Sequence, residues 1–170
     1  MTDTSLETQV PGGVTTITMW AYPMDNGVLL SELGQSIPNT GWNDAQLEMV
    51  DVAGTPTLRF GMWNGAGIIY FSSDTPTPLN SWYHIAMKYT GTQLRCYVNG
   101  FFIGKVNFKR EGPVQNGQGL HYAIAASDAT NMGDGTYANM KLGEFQVYNR
   151  SLKDSEILSN FYATRGKYGV

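Results

Sequence analysis

The chain has a single cysteine, Cys96, among its 170 residues, so no disulfide can form within it. Its place in the alternation between Leu94 and Val98 predicts a small buried apolar residue and not a reactive thiol. The chain also begins without the charged segment and following apolar segment that a secretory signal would show. We therefore expect the protein to be made and folded in a reducing cytoplasm.

Long apolar runs and positive charge are also scarce. No apolar run approaches the roughly 20 residues of a membrane-spanning helix. Lys and Arg number 11 against 14 Asp and Glu, which gives a net charge of -3 and a pI near 5.2. The nearest approach to a basic patch, Lys105, Lys109 and Arg110, adjoins Glu111 and is typical of a solvated hairpin end. We predict that the protein binds neither nucleic acid nor a membrane.

Catalytic arrangements are missing too. The chain has two histidines and no Gly-x-Ser-x-Gly elbow, so a hydrolytic triad is unsupported. Retaining glycosidases need two carboxylates roughly 5 Å apart. Glu48 and Asp51 are three residues apart and so lie on opposite faces of a strand, and Glu144 stands alone. We predict that the protein is not an enzyme.

What the chain does contain is a series of short alternating strands separated by turn residues. The clearest is a three-stranded meander from Ser81 to Phe108, which turns at 90–92 and at Asn99-Gly100. Asn-Gly suits the type I′ turn that matches strand twist. Further strands are predicted at Val14–Tyr22, Val28–Leu33, Gln46–Val52, Pro56–Trp63, Ile68–Phe71, Leu120–Ala126 and within Tyr137–Asn149. Asn64-Gly65 is predicted to be another hairpin turn.

One helix is predicted, near residues 154–164. Asp154 is its expected cap, and Ile157, Leu158 and Phe161 form the apolar stripe that would pack on a sheet. Residues 1–13, which contain Pro11-Gly12-Gly13, are expected to form an N-terminal arm, and residues 14–170 a single domain.

Three stretches carry a family resemblance. The central pattern Trp82-x-His84-Ile85-Ala86-Met87, followed by Leu94-x-Cys96-Tyr97-Val98-Asn99-Gly100, resembles the central hairpin of laminin-G-like domains in the concanavalin A-like lectin superfamily. Residues 16–21 are similar to the family's early strand, and residues 143–157 to its last strand and closing helix. The resemblance implies an all-β fold, a two-sheet antiparallel β-sandwich of the jelly-roll type with one C-terminal helix.

The same resemblance implies candidate binding residues. Sugar rings stack on exposed aromatic side chains, while their hydroxyls need polar partners. Trp42 lies in a polar loop, and Trp63 shares a predicted strand face with Arg59, so these three are candidates for binding a glycan or a partner. Burial under a loop or in a subunit contact is the alternative for both tryptophans. Trp20 and Trp82 are expected to help the sheets pack, as in the family.

Calcium is left open. Lectin relatives often carry it, and Asp128, Asn131 and Asp134 lie close together in a predicted loop where they could supply oxygen ligands. Turn chemistry alone selects the same residue types, however, so no cofactor is predicted.

The closing segments 147–152 and 160–169 resemble those of small lectin-like proteins of tailed bacteriophages. This implies a non-catalytic virion protein, made in the host cytoplasm, that decorates the capsid. The arm would bind the major capsid protein and the sandwiches would form a homo-oligomer. No trimerising shaft is visible, which favours the head over a tail fibre. The alternative is a glycan-binding lectin or adhesin module that recognises a host surface.

Overall fold

The computed structural model describes residues 14–33, 43–63, 68–107, 121–125 and 137–170. At positions 32, 33, 43–45, 62, 63, 68 and 121 it describes only the backbone. The predicted arm at 1–13 and the predicted Asn64-Gly65 turn lie outside the described residues.

Ten strands in the described residues form two five-stranded sheets. Sheet A has the order β10-β1-β6-β7-β8, and sheet B the order β5-β4-β3-β2-β9, with every neighbouring pair antiparallel. The strands are β1 (Val14–Pro23), β2 (Gly27–Leu33), β3 (Asn43–Val52), β4 (Thr55–Trp63), β5 (Ile68–Ser72), β6 (Tyr83–Thr90), β7 (Gln93–Val98), β8 (Phe101–Asn107), β9 (His121–Ile124) and β10 (Met140–Tyr148). One α-helix, α1 (Asp154–Thr164), and a 3-10 turn (Arg165–Lys167) follow. The predicted sandwich with one C-terminal helix is confirmed.

The main core lies between the two sheets. Alternate residues of β1, β3, β4, β6 and β7 enter it, as the period of two requires. In β2 the consecutive residues Leu29 and Leu30 both enter it, beside a register shift between Val28 and Leu30. Sheet A contributes Ile17, Met19, Ile85, Met87, Tyr89, Leu94 and Cys96, and sheet B contributes Leu30, Leu47, Met49, Leu58 and Phe60. The predicted burial of Cys96 is confirmed, and burial raises the pKa of its thiol well above the ordinary value.

The outer face of sheet A is buried along β1 and β6 as well, because α1 and the C-terminal tail pack on it. Trp20 is 1% exposed, and its ring stacks on Tyr168 with a centroid distance of 4.2 Å. Its Nε1 donates a hydrogen bond of 2.9 Å to Thr164 Oγ1. The expected structural role of Trp20 agrees with this burial. Because the odd-numbered residues of β1 fill the core, Trp20 packs against the helix and the tail on the opposite face of the strand. Trp82 also contacts Tyr168.

A charged cluster fixes the start of α1 to sheet A. Lys88, whose side chain is 8% exposed, donates from Nζ to the Leu152 carbonyl and to Asp154 Oδ1. Tyr97 donates to the same carboxylate at 2.7 Å. The predicted capping role of Asp154 is therefore wrong. Glu156 accepts the Lys153 N–H at 2.7 Å instead, one residue before the helix begins.

The Asn99-Gly100 turn is confirmed between β7 and β8. Both residues have positive φ, 51° and 82°, as a type I′ turn requires. The close fit at Gly100 adds a second constraint, since a Cβ there would lie 2.8 Å from Leu158 Cδ1 of α1. The turn residue thus also permits the helix to pack on the hairpin.

Candidate functional site

The outer face of sheet B carries a polar cluster. Because Leu47, Met49, Leu58 and Phe60 enter the core, the residues that alternate with them point away from it. Strand register places Glu48 opposite Arg59, and Gly61 between Gln46 and Tyr70. The cluster consists of Gln46, Glu48, Arg59 and Tyr70.

An ion pair with an amide partner forms the base of this cluster. Arg59 Nε donates to Glu48 Oε2 at 2.7 Å, and Arg59 Nη2 contacts the same oxygen. Gln46 Nε2 donates to the other oxygen, Oε1. Glu48 is 6% exposed, whereas the Arg59 side chain is 35% exposed. The carboxylate is therefore buried and engaged at both oxygens, and the guanidinium reaches solvent.

Tyr70 forms the accessible part of the cluster. It is 43% exposed, and the Arg59 guanidinium lies 4.5 Å from the centre of its ring. Partial burial and the nearby Glu48 carboxylate raise the pKa of the phenol, while Arg59 acts in the opposite direction. Tyr70 therefore remains a neutral hydroxyl that can donate a hydrogen bond.

Ser31 lies on the same face, beside Gln46 in the register of β2 with β3. Its Oγ is fully buried, and within the described part of the chain it has no hydrogen-bond partner. Buried hydroxyls are normally satisfied by protein or water. The Ser31 hydroxyl is thus a buried polar group next to the cluster that the described residues leave unsatisfied.

Of the residues predicted from sequence, only Arg59 can be placed in this cluster. Trp63 ends β4 and pairs with Ile68, but its side chain is not described. Trp42 and the candidate calcium ligands Asp128, Asn131 and Asp134 lie outside the described residues. Tyr70 and Gln46 were not predicted as binding residues, and Glu48 was considered only as a catalytic carboxylate.

A second concave feature lies between sheet A and α1. This cavity of about 110 Å³ is lined by residues that include Trp20, His84, Glu144, Tyr148 and Asn160. Several of its polar groups already have partners: Asn160 donates to Tyr148 Oη at 3.0 Å, and Glu144 accepts from Lys167 Nζ at 2.6 Å. The cavity is a gap in a packed interface, and of its lining groups His84 Nδ1 has no hydrogen-bond partner among the described residues.

The described residues contain neither a metal-binding group nor a membrane-spanning helix. In residues 14–33, 43–63, 68–107, 121–125 and 137–170, no three His, Cys, Asp or Glu side chains form a group that could hold a metal ion. No helix in these ranges has the length and apolar character to cross a membrane.

Comparison with known families agrees with this architecture. A laminin-G-type family model, described as the concanavalin A-like lectin/glucanases superfamily, matches residues 2–158. The chain belongs to this superfamily. No curated protein matches its sequence.

Several solved members of such folds are similar in structure. A heptameric SAP-like pentraxin from Limulus polyphemus superimposes with a TM-score of 0.65 at 20% identity, covering 85% of this chain and 68% of the pentraxin. The CBM40 domain of a Ruminococcus gnavus sialidase, solved with bound alpha2,3 sialyllactose, gives 0.63 at 12% identity, with 91% and 84% covered. The binding domain of botulinum neurotoxin serotype D/C gives 0.62 at 13%, with 92% of this chain but 38% of the toxin domain covered. At these identities the likeness concerns the fold.

Proposed function

We propose that this protein is a non-catalytic carbohydrate-binding module that contacts sugar through the outer face of sheet B. The observation that carries the proposal is the Arg59–Tyr70 pair, which reaches solvent above a buried and hydrogen-bonded Glu48. An exposed aromatic ring beside convergent polar groups matches what a sugar presents, an apolar C–H face with a rim of hydroxyls. The sugar-bound CBM40 domain supports the proposal at the level of fold.

The absence of catalysis is part of the proposal. Hydrolysis by retention needs a free nucleophilic carboxylate and an acid roughly 5 Å away. Both oxygens of Glu48 are engaged by Arg59 and Gln46. Asp51 instead accepts the Gly54 N–H at the end of the strand, and Glu144 lies in sheet A, paired with Lys167. Each of these three carboxylates is thus already engaged by a neighbouring group of the protein.

The capsid-decoration function rests on the sequence resemblance of the closing segments. None of the similar proteins named above is a virion protein, so virion location, the major capsid protein as partner and homo-oligomer formation stay predictions. The lectin alternative has the additional support of the fold relatives and of the polar cluster.

A glycan array tests the proposal. Labelled wild-type protein should bind a defined subset of glycans, and Tyr70→Ala and Arg59→Ala should each reduce that signal by about tenfold or more, because each removes a direct contact. A similar pair away from sheet B offers a matched control. There the Arg165 guanidinium lies 5.2 Å from the centre of the ring of Tyr162, which is 51% exposed. Tyr162→Ala should leave binding unchanged.

Two results would contradict the proposal. One is the absence of any glycan signal from wild-type protein whose circular dichroism shows the folded sandwich. The other is glycan binding that Tyr70→Ala and Arg59→Ala leave intact while both variants remain folded.

A further inference from the structure

From the charge arrangement of this face we infer that the site selects neutral, hydroxyl-rich sugars and disfavours sialylated ones. The inference rests on the proposed function and specifies its ligand class. It departs from the Ruminococcus gnavus relative, whose structure contains a sialylated ligand.

Arg59 already uses part of its guanidinium to bind a carboxylate of the protein. An arginine recognises a carboxylate best through two parallel N–H donors on one edge of its guanidinium. The edge formed by Nε and Nη2 already faces Glu48. A sialic acid carboxylate would have to share this cation with Glu48 and lie near a second negative charge. The remaining N–H groups of Arg59 can still donate to uncharged hydroxyls.

Positive charge is scarce in sheet B as a whole. Arg59 is the sole lysine or arginine in the described strands of sheet B, whereas those strands contain four acidic residues, Glu32, Asp44, Glu48 and Asp51. The whole chain has a net charge of -3. The described strands of sheet B therefore offer an anionic glycan no cation other than the one that already faces Glu48. A neutral sugar does not need such a partner.

The accessible groups of the cluster are hydrogen-bond donors that suit uncharged hydroxyls. Tyr70 remains a protonated phenol, and Arg59 supplies further donors. A neutral sugar presents hydroxyls that accept from such donors and an apolar ring face that packs on the tyrosine. The cluster thus meets the needs of a neutral sugar without an additional charge.

The test compares array glycans that differ only in a terminal sialic acid, with lactose and alpha2,3-sialyllactose as one such pair. In each pair that gives a signal, wild-type protein should bind the neutral glycan at least about tenfold more tightly than the sialylated one. Glu48→Gln keeps the side-chain shape but leaves the Arg59 charge uncompensated. This variant should narrow or reverse the preference.

Asp51→Asn is the matched control. It removes one negative charge from the same strand, and the side-chain oxygen that accepts the Gly54 N–H is kept. It should leave the wild-type preference in place, which separates the effect of net charge from that of the Arg59–Glu48 pair. Thermal melting establishes that both variants are folded.

The possible results distinguish the preference for neutral sugars from carbohydrate binding itself. A wild-type preference for the sialylated member, or equal binding of both, overturns the inference and leaves carbohydrate binding intact. A neutral preference that Glu48→Gln does not change also overturns the assigned cause. The absence of binding to every glycan overturns the proposed function itself.

Discussion

At the scale of single residues, His84 is held in an uncharged form by its surroundings. It is 3% exposed, and its ring packs edge-on against Trp20 with a centroid distance of 5.3 Å. Its Nδ1 is buried without a hydrogen-bond partner in the described residues. Burial lowers the pKa of His84 to about 4, and the Glu144 carboxylate offsets this only in part.

This predicts a loss of stability in mild acid. Below the ordinary histidine pKa of 6.5, the unfolded chain binds a proton that the folded protein does not bind until about pH 4. The free energy of unfolding should therefore fall as the pH decreases from 6.5 to 4, by up to about 3 kcal/mol. Urea unfolding at pH 7, 5.5 and 4 measures it.

His84→Gln provides the comparison, because carboxylates also titrate near pH 4. The difference in unfolding free energy between wild type and this variant should change with pH over the same window. If the difference in unfolding free energy between the two proteins is constant from pH 7 to 4, protonation of His84 does not cause the loss of stability.

At the scale of elements, the sequence predicted strands better than it predicted what covers them. Alternation identified the core-facing residues of β1 and β6, and the helix was expected at the residues where α1 is found. The outer faces of the same strands are also buried, including Thr18 and Lys88. Alternation distinguishes two faces of a strand, but only the packing of α1 decides that the second is covered.

The same packing explains the role of Asp154. Partial burial opposes its ionisation, but hydrogen bonds from Lys88 and Tyr97 and the nearby Arg95 outweigh this, so the pKa of Asp154 lies below its ordinary value. Burial and the bond to Asp154 raise the pKa of the Tyr97 phenol. The cluster joins α1 to sheet A through ion pairs between residues far apart in the chain, so these pairs could not be predicted from sequence spacing.

Asp154→Asn should therefore destabilise the fold. The buried Lys88 ammonium would lose its charged partner, which costs about 2 kcal/mol, less than for a fully buried pair because Asp154 is half exposed. Chemical denaturation measures the loss. Lys167→Gln, which breaks the exposed pair with Glu144, should change stability little. Equal losses in both variants would contradict this role for Lys88 and Asp154.

At the scale of the whole molecule, the two outer faces of the sandwich have different tasks. The outer face of sheet A packs against α1 and the tail, through Trp20 and Tyr168. The outer face of sheet B carries the accessible polar cluster. Arg59 could be predicted from its polar strand face. The place of Tyr70 in the cluster could not be predicted from sequence, because it depends on the register between β4 and β5. In that register Trp63 pairs with Ile68, which brings Tyr70 opposite Gly61.

The most direct test of the account is to locate the bound sugar. Backbone amide signals of isotope-labelled protein can be followed by NMR during titration with a neutral glycan that the array identifies. The account predicts that shift changes concentrate at residues 46–48, 57–61 and 69–72, with none in α1. Changes centred on the cavity beside His84, or on the β7–β8 hairpin, would contradict the claim that sheet B carries the binding site.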